Sequence, residues 1–375
     1  MPRIEIRTVQ SRADLKAFIE LPWSLYQDDQ YWVPPIKPEQ VRILTPGRHP
    51  FWEFSRRELF MAWRGPTPVG RIAGIIDERS NRAHGEKMGA WGFFESVDDL
   101  ETASALFRAA EQWVAREGAT FSRGPLNPSF NYEVGTLIDG FDSMPTMMMT
   151  YNPRYYADLA EHCGYRKEKD LYSYVAGCDM AMPAWALDLA QRIADRGEYT
   201  VVPITRKTIV GQLEVLREVY NECWSQNWGF VPMADGELGE MAKLLKYILD
   251  PDLAFFVYHG DNPIAVSILL PDVNPIVKSA GGTLGVRALY QYFANRSKVA
   301  GLRGLIFGVK PAYRKIGTPL FVLHRLRVAL EQKPQYRWVE LGWDLEDNDA
   351  INSLYEEGGL RPAKRWRIYR KDLPA

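Results

Sequence analysis

The residues from Gly308 to Leu320, Gly-Val-Lys-Pro-Ala-Tyr-Arg-Lys-Ile-Gly-Thr-Pro-Leu, join an apolar run to a turn and a helix start. Such a junction aims unpaired backbone N–H groups and the positive end of a helix at one point, which suits a phosphate. Gly317 permits close approach of the backbone to a ligand, and Arg314 and Lys315 add positive charge. Pro319 is tolerated in the first helical turn, where its missing N–H has no intrahelical partner, but it removes one donor that an anion would use. Two carboxylates, Glu340 and Asp344, stand four residues apart on and just beyond a strand, on one side with Gly342. The stretch Gly124 to Tyr151 is dense in Pro, Gly, Asn and Met and carries Asn127, Asn131 and Glu133, with Tyr151 and Asn152 at its end. Side chains of these types line polar clefts or satisfy the backbone of their own loop. The five histidines stand apart and no Cys-x-x-Cys or His-x-x-x-His spacing occurs, so no metal site is expected.

The elements that must position these groups follow from periodicity. A helix is expected from Asp14 to Tyr26, then an extended aromatic segment at Trp32-Val33-Pro34-Pro35. Glu58–Arg64 and Val69–Asp77 form a hairpin about Gly65-Pro66-Thr67-Pro68, and Met88–Phe94 is a third strand. Leu100–Glu117 is a helix with Leu106, Ala109, Ala110, Trp113 and Val114 on one face, capped by Asp98 or Asp99 and ended by Gly118. Ala119–Arg123 is a strand, Tyr155–Cys163 a helix and Lys167–Val175 a strand. After a turn, a helix (Ala184–Arg196) and a short strand, the order repeats. Helices Val210–Trp224 and Glu237–Leu249 precede a hairpin, Ala254–His259 and Pro263–Leu270, that turns at Gly260-Asp261-Asn262. A helix at Gly285–Lys298, strand Leu302–Val309, helix Pro319–Gln332, strand Trp338–Trp343, helix Ala350–Glu357 and strand Trp366–Arg370 complete the chain. The repeat is one of order, without sequence identity.

A chain of 375 residues suits two domains, and 46% hydrophobic with 25% charged residues is ordinary for a globular protein. Forty-six Lys plus Arg against 47 Asp plus Glu leave a net charge of -1, which gives no electrostatic reason to expect nucleic acid. Three cysteines, Cys163, Cys178 and Cys223, are too few and too scattered for a disulfide framework and fit a reducing cytoplasm. Met1 to Gln10 alternates charged and apolar groups and reads as a strand instead of a signal peptide; runs such as Ile264–Leu270 are too short to span a bilayer.

The order helix, hairpin, strand, phosphate turn, helix, strand, helix, strand in the second half resembles the GCN5-related N-acetyltransferase (GNAT) superfamily. Its phosphate loop, Arg/Gln-x-x-Gly-x-Gly/Ala, is matched by Arg314-Lys315-Ile316-Gly317-Thr318-Pro319 except at the last position. Its last helix begins with Asn and carries Leu-Tyr-Glu-x-x-Gly-Phe; here Asn348 is followed by Leu354-Tyr355-Glu356-Glu357-Gly358-Gly359-Leu360. Trp32-Val33-Pro34-Pro35, the Gly124–Tyr151 stretch and Lys169-Asp170-Leu171-Tyr172 resemble a bacterial family of tandem acetyltransferase-like proteins with no assigned substrate.

The resemblance implies an α/β protein of two tandem acyl-CoA N-acyltransferase (GNAT)-like folds, each a mixed, mostly antiparallel sheet flanked by helices. Residues 1–178 would form a first domain without a phosphate loop, and residues 179–375 a second one holding acetyl-CoA or another acyl-CoA. Val309, Arg314, Lys315, Gly317, Thr318 and Asn348 would bind the coenzyme, and the Tyr355 hydroxyl would protonate the leaving thiolate. Glu340 is the candidate base, and Asn127, Asn131, Glu133, Tyr151 and Asn152 are candidates to orient a small amine acceptor. At the matching place in the first half, Glu95-Ser96-Val97-Asp98-Asp99 puts acid where a phosphate would sit, so one coenzyme site per chain is expected. A non-catalytic binding protein, and a transferase using a carrier-protein or long-chain donor, remain open alternatives.

Overall fold

The structure, a computed structural model, describes residues 2–180, 182–283 and 294–374. β1 (Ile4–Thr8) leads to α1 (Arg12–Leu25), whose start is fixed by a capping box between Ser11 and Asp14. After α2 (Lys37–Ile43) come the hairpin β2 (Ser55–Arg64) and β3 (Thr67–Asp77), α3 (Glu78–His84), β4 (Met88–Ser96), α4 (Leu100–Arg116) and β5 (Phe121–Gly124). The Asp99 carboxylate accepts the Thr102 N–H at 2.8 Å, so the acid at this helix start is a cap, and α4 buries Leu106, Phe107, Ala110 and Val114.

Three short strands follow, β6 (Leu126–Asn127), β7 (Glu133–Val134) and β8 (Thr136–Asp139), in a stretch that reads as loop in the sequence. Strands of two to four residues are too short to show an alternating pattern. α5 (Tyr155–His162), β9 (Arg166–Gly177) and α6 (Ala184–Asp195) lead into the second half. There β10 (Tyr199–Pro203), α7 (Leu213–Trp224), α8 (Asp235–Leu245), β11 (Ala254–His259), β12 (Asn262–Pro271) and α9 (Asn274–Ser279) precede β13 (Gly301–Val309). α10 (Thr318–Glu331), β14 (Trp338–Leu345), α11 (Asp349–Glu357) and β15 (Pro362–Asp372) close the chain. Most of the expected helix Gly285–Lys298 lies outside the described residues.

Among the described residues twelve strands run side by side in the order β1-β2-β3-β4-β5-β15-β9-β14-β13-β12-β11-β10, and β8 adds to β15. The fold class is the expected one, a mixed and mostly antiparallel sheet with helices on its faces, in two copies of one element order. The copies are intertwined. β9, from the end of the first copy, pairs with β14, while β15, from the end of the second, pairs with β5; β9 and β15 pair with each other at the centre. We propose that 1–178 and 179–375 are two units that exchange their last strands. Apolar side chains gather on both faces of the sheet in each half, around Phe51 and Phe107 in the first and around Phe255 and Phe256 in the second.

Candidate active site

In the second half the parallel strands β13 and β14 pair over three residues, Gly301 with Trp338 through Arg303 with Glu340, and then part. Beyond that point β13 pairs with β12 and β14 with β9, so a wedge opens between them. A bulge marks the start of the wedge: Gly304 faces Leu269 and Ile306 faces Ile268, leaving Leu305 without a partner across the ladder. An extra residue of this kind has its backbone N–H free of the ladder.

The wedge opens into a cavity of about 170 Å³. Its floor is Arg303, Leu305 and Ile306 of β13 and Gly342 to Leu345 of β14; one wall is Tyr220, Trp224 and the segment Asn227 to Phe230 between α7 and α8. Met233, Met241 and Asn348 add to it, and the first half supplies Phe130, Asn131, Tyr132 and Met148. Aromatic and aliphatic groups dominate this lining.

The first half also fixes the α7–α8 wall. Tyr132 donates to Glu237 Oε1 at 2.8 Å, Arg79 reaches Glu237 at 2.5 Å and donates to the Pro232 carbonyl at 3.2 Å, and His84 bonds the Phe230 carbonyl at 2.9 Å. The Trp228 ring meets Phe130 edge-on at 5.3 Å and lies under the Arg123 guanidinium at the same distance. A second, polar cleft that includes Glu86, Arg123 and Asp347 shares Asn227, Trp228 and Asn348 with the cavity.

Three polar atoms in the cavity lining are buried and have no hydrogen-bond partner among the described residues: Asn131 Nδ2, Arg303 Nε and Asp344 Oδ2. Arg303 is 3% exposed and holds its place by donating to the Gly304 carbonyl at 2.9 Å. Burial lowers its affinity for its proton, and the carboxylates of Glu340, Asp344 and Asp272 oppose that. Burial pushes the Asp344 carboxyl up to about 6 against the pull of Arg303. The Tyr355 hydroxyl is raised well above the ordinary phenol range, by burial first and the neighbouring Asp344 next; its ring packs on Tyr174 at 4.6 Å.

At the turn after β13, Pro311–Ile316 form a single 3-10 segment and Gly317 adopts φ 86, the left-handed conformation that glycine favours. A side chain there would also sit 2.4 Å from Ile193 of α6. Thr318 and Pro319 open α10. The Thr318 hydroxyl bonds Tyr199 at 2.8 Å, and Arg314 donates to the carbonyls of Val309 and Cys223 at 2.9 and 2.8 Å, so its guanidinium shapes the turn. Lys315 is exposed, whereas Lys310 is buried between Glu218 at 2.6 Å and Glu222 at 3.0 Å.

Of the residues singled out in the sequence, Asn131 and Asn348 line the cavity. Val309, Arg314, Lys315, Gly317 and Thr318 share the turn, and Tyr355 lies beside Asp344. Others stand elsewhere. Glu340, 2% exposed, accepts the Ser173 hydroxyl at 2.6 Å and is not among the lining residues. Asn152 is bound to both the N–H and the carbonyl of Leu137, and the Tyr151 hydroxyl donates to Asp29. Asn127 and Glu133 pair across β6 and β7. Arg303 and the aromatic wall from Trp224 to Phe230 were not anticipated; the one sequence signal was an arginine inside the apolar run Leu302–Val309. Among the described residues no cluster of His, Cys, Asp and Glu could hold a metal.

No family model matches the chain. Protein YghO of Escherichia coli (strain K12) is 32% identical over 384 residues, covering 98% of this chain and 95% of its own length. Bacterial ceramide synthase of Caulobacter vibrioides is 32% identical over 381 residues, covering 99% and 98%. Among solved structures, a tandem GNAT protein from the clavulanic acid biosynthesis pathway aligns at a TM-score of 0.58 with 13% identity, over 100% of this chain and 99% of the other. A GCN5-related N-acetyltransferase from Sphaerobacter thermophilus aligns at 0.53 with 12% identity, over 100% and 96%. At such identities the structures show a common fold.

Proposed function

The chain belongs to the family of tandem GCN5-related N-acetyltransferase-like proteins that contains YghO and the Caulobacter ceramide synthase, and from that membership we propose that it transfers an acyl group from coenzyme A to the nitrogen of an amine. The observation that carries this reading is the open wedge between β13 and β14, which leads from the Gly317 turn to an apolar cavity containing three unmet polar atoms. The thioester lies in the wedge with its carbonyl oxygen toward the free N–H of the Leu305 bulge, and the pyrophosphate rests on the first turn of α10 at Gly317 and Thr318, with Lys315 beside it. Asn348, at the start of α11, meets the pantetheine arm, and Tyr355 protonates the departing sulfur. Asn131 meets the acceptor from the first half. Glu340, bonded to Ser173, acts on Arg303 through its charge.

The acetyl group suggested by the loop motif is a poor match to a cavity walled by Phe130, Trp224, Trp228, Phe230, Met233 and Met241. Such a lining favours long aliphatic chains, since each buried methylene contributes about 0.8 kcal/mol. Together with the name of the Caulobacter relative, it supports a fatty acyl donor and a long-chain amine as acceptor. Among the described residues no helix is long and apolar enough to cross a membrane.

The test is thermal stability with acetyl-CoA, palmitoyl-CoA and free coenzyme A, followed by mass spectrometry of the protein with palmitoyl-CoA and sphinganine. Ligand at a hundred times its dissociation constant should add about 2.7 kcal/mol, and palmitoyl-CoA should give the larger shift at equal concentration. Absence of a shift with all three, and of an amide product, overturns the reading.

A further inference from the structure

An amine reaches a thioester as an ammonium ion in neutral water, and a proton must leave it before the nitrogen can attack. Resting on the acyl-transfer reading above, we propose that Asp344 is the base that takes this proton, with Arg303 and Asn131 holding an oxygen of the acceptor or of the thioester beside it. Asp344 stands at the bulge where β14 changes register on β9, just after the wedge has opened, and it lines the cavity. Its Oδ2 is buried with no partner among the described residues, as are Arg303 Nε and Asn131 Nδ2 of the same lining. One unmet acceptor and two unmet donors in a single apolar cavity describe a ligand with an N–H and an oxygen close together, because buried polar atoms are otherwise paired. The rival carboxylate, Glu340, already accepts the Ser173 hydroxyl at 2.6 Å.

The surroundings suit the task. Asp344 faces Arg303 from β13, Tyr174 from β9 and Tyr355 from α11, and behind Arg303 lie Glu340 and Asp272. Burial raises its proton affinity while Arg303 limits the rise, which leaves a carboxylate that is ionised at neutral pH yet more basic than one in water. In the reaction the ammonium gives a proton to Asp344 Oδ2, and the freed nitrogen adds to the thioester carbonyl carbon. This addition forms the C–N bond and an oxyanion; collapse re-forms the C=O bond and breaks the C–S bond, and the sulfur takes the Tyr355 proton. The surplus proton on the new amide nitrogen restores Tyr355 through solvent, and Asp344 returns its own to water, so one proton is released per turnover.

Asp344→Asn tests this with palmitoyl-CoA and sphinganine. The expected result is a kcat lower by about 10²–10⁴-fold, an unchanged KM for palmitoyl-CoA, and loss of the acid limb near pH 6 that the wild type shows as Asp344 protonates. The stability sign separates catalysis from structure. A carboxyl whose affinity for its proton is raised on folding contributes stability that is lost as pH rises through about 6, so the neutral asparagine should be at least as stable as the wild type at pH 8. Asp344→Glu, which keeps the carboxylate, should recover part of the rate. A wild-type rate and acid limb in Asp344→Asn overturn the assignment while acyl transfer stands, as does a variant melting well below the wild type at pH 8. A wild type that neither binds palmitoyl-CoA nor makes amide overturns both.

Discussion

The two halves open the same wedge and treat it in opposite ways. In the first, β4 and β5 pair over three residues, Met88 with Phe121 through Ala90 with Arg123, and part as β13 and β14 do. β4 also bulges one position beyond a glycine, with Gly92 opposite Ala73 and Glu95 opposite Arg71. There the chain plugs its own wedge. The Leu126 carbonyl lies so close to Gly92 that a β-carbon would sit 1.8 Å from it, and the Asn127 side chain accepts the bulge N–H of Phe93 at 2.6 Å. The N–H that corresponds to Leu305 in the open wedge is thus already bonded. Where the second half has Leu354-Tyr355-Glu356, the first has Leu159-Ala160-Glu161, and where Thr318 opens a helix behind a glycine turn, the first half has the carboxylate cap Asp99. One fold serves as a frame that presents Phe130, Asn131 and Tyr132 to the other. The filled half and the open half together line a two-sided cavity.

The contrast breaks most sharply at the hydroxyl that only the second half has. Tyr355→Phe should lower kcat by about 10²–10⁴-fold with little change in thermal shift by palmitoyl-CoA, whereas Ala160→Tyr should add no activity. A full rate in Tyr355→Phe would remove the acid from the second wedge. The plug is tested by stability instead. Asn127→Ala leaves the buried Phe93 N–H unmet and should cost about 1–3 kcal/mol in urea unfolding, with kcat unaltered; a fall in turnover at full stability would place Asn127 in the substrate path. The smallest effect is expected at the turn. Gly317→Ala forces a side chain into the left-handed region and against Ile193, for a loss of about 1–2 kcal/mol, and should weaken coenzyme binding measured by calorimetry. Unchanged coenzyme affinity in that variant would separate the turn from the pyrophosphate.

Much of this was legible residue by residue. The expected strands Val69–Asp77 and Leu302–Val309 are observed at Thr67–Asp77 and Gly301–Val309, and the helix Leu100–Glu117 at Leu100–Arg116, because hydrophobic period and capping residues act over a few neighbouring positions. The charge of the candidate base was harder to locate. Glu340 and Asp344 look alike in sequence, and they differ in the structure through Ser173, which lies 167 positions from Glu340 and bonds it.

The sequence by itself determined the order of elements, the glycine turn at Gly317, the tyrosine at 355 and the carboxylate cap at Asp99, since each depends on local backbone preference or on which side chain is present. Tertiary structure decided what no local rule reaches. It set the pairing of β9 with β14 and of β15 with β5, the entry of Leu126 and Asn127 into the first wedge, and the place of Asn131, Arg303 and Asp344 in the lining of the second. These depend on pairing and burial between segments far apart in the chain, where a strand's partner and a polar atom's neighbour are fixed by packing of the whole sheet.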